Sequence, residues 1–125
     1  MVGAPRFWTF AAGWAALIFA LSSVPGRKFP DLKVLSYDKV LHGGVYAVLG
    51  ALCFLAIRKT WSLRTSWLIG ASVVAATLYG VSDELHQSFV PGRSVDMFDV
   101  LADCIGSLVG SAAAAVALPL AEDPR

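Results

Sequence analysis

Four long runs of this sequence carry almost no charge, and that feature decides what the chain can become. Such a run cannot face water along its length, but it suits lipid, where a crossing helix needs about 20 mostly apolar residues. The runs fall at residues 7–23, 39–57, 66–89 and 97–120. They predict an all-α integral membrane bundle of four transmembrane helices, in a single domain over residues 1–125. Composition agrees: 57% of residues are hydrophobic and only 15% charged, whereas a soluble domain exposes roughly 25% charged residues. The net charge of +1, with no basic patch to neutralise phosphates, excludes nucleic acid as a partner. Membrane lipids are the expected surroundings.

Breaks between the runs are marked by Val24-Pro25-Gly26, Pro30, the pair Arg58-Lys59, and Pro91-Gly92. A signal peptide is the competing reading of the first run, because Arg6 and Ala20-Leu21-Ser22 roughly match that pattern. Three further apolar runs favour a span. The third run is purely apolar only from Trp67 to Gly80, too short to cross. Its helix must continue through Asp83, Glu84, His86 and Gln87, which draws acidic groups into the membrane, where they need partners.

Four crossings place both termini on the side of the short loop holding Arg58, Lys59 and Arg64. Basic residues number five on each side, but Lys39 and Arg93 have acidic neighbours, so the compact cluster in this short loop marks the cytoplasmic anchor of the positive-inside rule. The expected location is therefore the cell membrane (inner or plasma), multi-pass, with termini in the cytoplasm. Cys53 and Cys104 lack metal or redox spacing. Cys53 lies ~21 Å along its helix from Lys39, at the opposite face from Cys104, so no disulfide is expected.

Most acidic residues map to the other side of the membrane. Asp38, His42 and Tyr46 share one face of the second helix at i, i+4, i+8. Tyr79, Asp83 and Gln87 do the same on the third, with Glu84 and His86 beside them. Asp96, Asp99 and Asp103 line the fourth at i, i+3, i+7, and Gly106 and Gly110 extend that stripe. Arg93 is the natural countercharge for Glu84 or these aspartates, and Lys39 snorkels at the interface. Three polar faces in lipid should converge on one site, made of Asp38, Lys39, His42, Tyr46, Asp83, Glu84, Gln87, Arg93, Asp96, Asp99 and Asp103.

Three uses of that site stay open. It could bind a lipid or cell-wall precursor headgroup. It could be an intramembrane enzyme, with Glu84 or Asp83 as general base, His86 or His42 as proton shuttle and Arg93 as anion clamp. Or it is a structural ion-pair network, with Asp38 and Asp96 as N-caps and Gly43, Gly50, Gly106 and Gly110 as packing residues. Two histidines among carboxylates are metal-capable, but no HExxH-type spacing supports an ion. The expectation is no metal and no cofactor.

These residues also resemble a known family. The run from Asp38 to Gly50 is similar to the D-K-x-x-H-x-x-x-Y-x-x-L-G signature of VanZ-like proteins. Asp83 to Asp96 resembles their D-E-x-x-Q-x-F-x-P-x-R-x-x-D block, Asp99 to Gly106 their D-x-x-x-N-x-x-G, and Ser22-Ser23-Val24-Pro25 their S-S-x-P turn. Asp103 departs from the pattern, which has Asn there. The resemblance implies a multi-span membrane protein acting on the cell envelope, its polar site facing outward. It also implies a link to susceptibility to the glycopeptide teicoplanin, through the family's namesake.

Overall fold

The computed structural model describes residues 4–23, 35–92 and 96–118, and side chains from Pro5 to Ser23, Val40 to Gly92 and Asp96 to Leu118. Four helices follow in order: α1 (Ala4–Ser22), α2 (Leu35–Thr60), α3 (Thr65–Gln87) and α4 (Met97–Ala117). No strand occurs among the described residues. The expected all-helical architecture is present. Helix α2 runs past its apolar run at both ends, so Asp38 stands inside the first turn rather than at a cap. Residues 40–60 of α2, together with α3 and α4, are long and apolar enough to cross a membrane. Helix α1 is the shortest of the four at 19 residues and carries Arg6 in its first turn.

The bundle wears its bulk outside. Leu78, Leu85, Val109 and Val116 are exposed, whereas Ala56, Ser72, Ala76, Ser107 and Ser111 are buried. Lipid is as apolar as leucine, so helices in a membrane associate through close packing of small residues rather than through the hydrophobic effect. The seam between α2 and α4 is built this way. A Cβ on Gly50 would stand 2.5 Å from the Ser107 carbonyl oxygen, and one on Gly106 or Gly110 would run into the backbone of Gly43 or Ala47. Buried hydroxyls do not leave polar atoms loose in this seam: Ser107 donates to the Cys104 carbonyl at 2.9 Å and Ser111 to that of Leu108 at 3.2 Å.

Helix α1 is tied on by polar side chains. The Trp8 indole N–H donates to Thr60 Oγ1 at 2.7 Å, that of Trp14 to the Val45 carbonyl at 2.9 Å, and the Tyr79 hydroxyl to the Ala15 carbonyl. At the same end as Trp8 and Thr60, Arg58 donates to the Leu118 carbonyl past the last turn of α4, where helix carbonyls lack intrahelical partners. Arg6, Lys59 and Arg64 belong to this end, while the buried carboxylates Asp83, Glu84, Asp99 and Asp103 gather at the other. Cys53 and Cys104 are free thiols, as expected.

Candidate functional site

Helical phase explains which side chains meet. Residues four apart share a face, so His42 and Tyr46 on α2 look inward together, as do Asp83 and Gln87 on α3, and Asp99 and Asp103 on α4. Asp83, Glu84, Gln87, Asp99 and Asp103 are all buried, Asp103 to within 1% of full occlusion. Room for Asp103 comes from Gly80, where a Cβ would stand 2.5 Å from Asp103 Oδ2.

His42 is the hub. Its Nδ1 lies 2.9 Å from Asp103 Oδ1, and its Nε2 lies 3.8 Å from Asp99 Oδ2. Where Asp103 is ionised it only accepts, so Nδ1 then carries the proton and, in the neutral ring, Nε2 keeps a lone pair. The Tyr46 ring lies parallel to the imidazole, 6.3 Å away and 3° from coplanar. Across the bundle, Glu84 Oε2 accepts the Asp96 backbone N–H at 3.2 Å. One donor atom from each of His42, Glu84 and Asp99 fits within 4.8 Å of the others. The hydroxyl of Tyr46 and one carboxylate oxygen each of Asp83, Glu84 and Asp103 are buried without a hydrogen-bond partner. Buried polar atoms are normally paired, so this concentration at one spot marks the cluster.

Beside it opens a cavity of about 180 Å³ between α1, α2 and α3. Ile18, Leu21, Leu41 and Val45 line it together with Ser22, His42, Tyr46, Asp83 and Gln87, and the surface they present to it is almost wholly apolar.

Of the residues expected from the sequence, His42, Tyr46, Asp83, Glu84, Gln87, Asp99 and Asp103 do come together. Asp96 serves α4 as its N-cap, its Oδ1 accepting the Phe98 N–H at 2.9 Å, and reaches the cluster through its own backbone N–H. His86 points elsewhere. It stacks on Phe19 at 4.4 Å, and its Nε2 lies 2.9 Å from Ser23 Oγ. Ser23 spends its own proton on the Phe19 carbonyl, so His86 is the donor, and it ties α3 to α1. The side chains of Asp38 and Lys39, and Arg93 altogether, lie outside the described residues. The sequence reading overlooked Gly80 and the α1 wall. Gly80 sits three residues before Asp83, a spacing that could have flagged it, whereas nothing in α1 distinguishes Ile18 or Leu21 from lipid-facing residues.

Helices with apolar exteriors around a buried group of carboxylates and an imidazole define a multi-pass membrane protein with a polar centre. The chain belongs to the VanZ/LLP1 family, whose model matches residues 7–118. No individual curated protein matches it, and no solved structure does.

Proposed function

We propose that this protein acts on the cell envelope by taking the polar headgroup of a lipid or lipid-linked cell-wall precursor into the site around His42 and Asp83, from the outer side of the membrane. The observation carrying this reading is the largely apolar cavity of Ile18, Leu41 and Val45 that reaches His42, Asp83 and Gln87. An amphiphile suits such a cavity, its chain against the aliphatic residues and a hydroxyl or amine donor towards Asp83 and His42. Asp83 Oδ1 and the Tyr46 hydroxyl lie buried without a partner just behind the cavity lining, and a buried polar atom left unpaired costs about 1–3 kcal/mol. Through family membership the reading extends to teicoplanin susceptibility, since that drug also concentrates at the bilayer surface. The direct test is native mass spectrometry of the protein released from detergent, comparing wild type with Val45→Trp, which fills the cavity. Bound lipid should survive on wild type and be lost from the filled variant; equal lipid on both would sink the reading.

A second reading is an intramembrane enzyme that modifies the same headgroup, favoured by the anchored His42–Asp103 pair with Glu84 nearby. His42 would then move a proton between substrate and Glu84. Turnover of an extracted envelope lipid by wild type, abolished in Glu84→Gln, separates it from simple binding.

A further inference from the structure

His42, Glu84 and Asp99 come from three different helices, yet their donor atoms converge within 4.8 Å. We propose that they hold a divalent transition-metal cation, with His42 Nε2 and the Glu84 and Asp99 carboxylates as ligands and Asp103 as the group that positions His42. The inference deepens the reading of this cluster as a ligand site, on which it rests, by naming what occupies its inner end.

Geometry comes first. Nitrogen and oxygen donors sit about 2.0–2.2 Å from such an ion, so two of them on one ion lie about 3–4 Å apart. The 3.8 Å between His42 Nε2 and Asp99 Oδ2 falls in that range, and the full set needs only a small contraction. An independent observation comes from Glu84. It is 3% exposed, its Oε2 accepts the Asp96 N–H, and its Oε1 has no hydrogen-bond partner. A buried carboxylate oxygen in that state calls for a donor or a cation, and a cation held between the three side chains would supply it.

The support around the histidine points the same way. Metal-bound imidazoles usually donate their other N–H to a carboxylate, which fixes the tautomer and makes the ligating nitrogen more basic. Asp103 stands 2.9 Å from His42 Nδ1 in that relation. One nitrogen and two carboxylates suit zinc, manganese or iron better than magnesium or calcium, which take oxygen-only shells. Three protein ligands leave coordination positions for water or for a headgroup oxygen from the cavity that His42 lines.

The test uses the full chain in detergent, stripped with a chelator and then titrated with Zn2+, Mn2+ and Mg2+, with Co2+ absorption reporting nitrogen and oxygen ligation. One Zn2+ or Mn2+ per chain should bind in preference to Mg2+. His42→Ala and Glu84→Gln should each weaken binding by more than tenfold, and Asp103→Asn by about 10- to 100-fold. His86→Gln, on the α1-facing side of α3, should bind as wild type. No stoichiometric ion on wild type, or undiminished affinity in Glu84→Gln, would overturn the proposal. Should His42→Ala and Glu84→Gln fail to fold, Asp103→Asn decides, and unchanged affinity there overturns it too. Lipid occupancy measured on the metal-stripped protein keeps the two readings apart: lipid retained with no metal bound removes the cation alone.

Discussion

Asp103 of α4 and His42 of α2 meet at 2.9 Å inside the bundle, 61 residues apart in sequence, with the carboxylate 1% exposed. The pair links two helices at the level where the polar centre lies, so it bears on stability as well as on any ligand. A hydrogen bond to a charged partner contributes about 1.5–3 kcal/mol. His42→Gln and Asp103→Leu should each lower thermal stability in detergent by that order, and the double variant should lose less than their sum. Strict additivity would show that the two groups do not interact.

The α2–α4 seam predicts a sharp contrast among glycines. An added methyl at Gly106 or Gly110 has backbone in its path, whereas one at Gly70 meets nothing within 4 Å. Gly110→Ala should destabilise by about 1–3 kcal/mol through overpacking. Gly70→Ala should be neutral or slightly stabilising, because alanine is the better helix former by about 1 kcal/mol. Unfolding curves for the two variants check the order, and equal curves would dismiss the tight seam.

Topology is open to a direct measurement. With Cys53 and Cys104 replaced, Ser62→Cys probes the α2–α3 loop and Ser94→Cys the α3–α4 connection. A membrane-impermeant thiol reagent applied to intact cells should label Ser94→Cys and spare Ser62→Cys, as expected for cytoplasmic termini and a crossing by α1. The reverse pattern would invert the orientation. Equal labelling would change the number of spans.

A phenotype follows from family membership joined to the membrane site. A lipid tail adds ~0.8 kcal/mol of membrane affinity per buried methylene, so lipidated glycopeptides dwell where this protein sits. Overexpression in a Gram-positive host should shift the inhibitory concentration of teicoplanin more than that of vancomycin, and Glu84→Gln should abolish the shift. An equal shift with the variant would detach the phenotype from the cluster.

Much of this molecule was legible in its sequence because lipid enforces simple rules. Long uncharged runs had no soluble home, so the helices could be placed to within a few residues, and Gly106 and Gly110 announced a close helix pair. Acidic groups at helical spacing in those runs had to turn inward, which put Asp83, Glu84, Asp99 and Asp103 in one place before any coordinates. Spacing along one helix, however, says nothing of how far another helix approaches. The His42, Glu84 and Asp99 donors belong to α2, α3 and α4, so no local motif could announce their convergence. Rotation misled for His86, three residues from Asp83, since that step turns a side chain far enough around α3 to meet Phe19 instead.

The abutting backbones of Gly43 and Gly106 make α2 and α4 behave as one rigid plate. Helix α1 is fastened differently, by single bonds from Trp8, Trp14 and Tyr79, by His86 on Ser23, and by Ile18 packed against Tyr46 and Leu49. The cavity beside His42 opens on the flank that α1 covers. A headgroup too large for that cavity would find α1 the most easily displaced of its walls, while the imidazole paired with Asp103 stays aimed from the α2–α4 side.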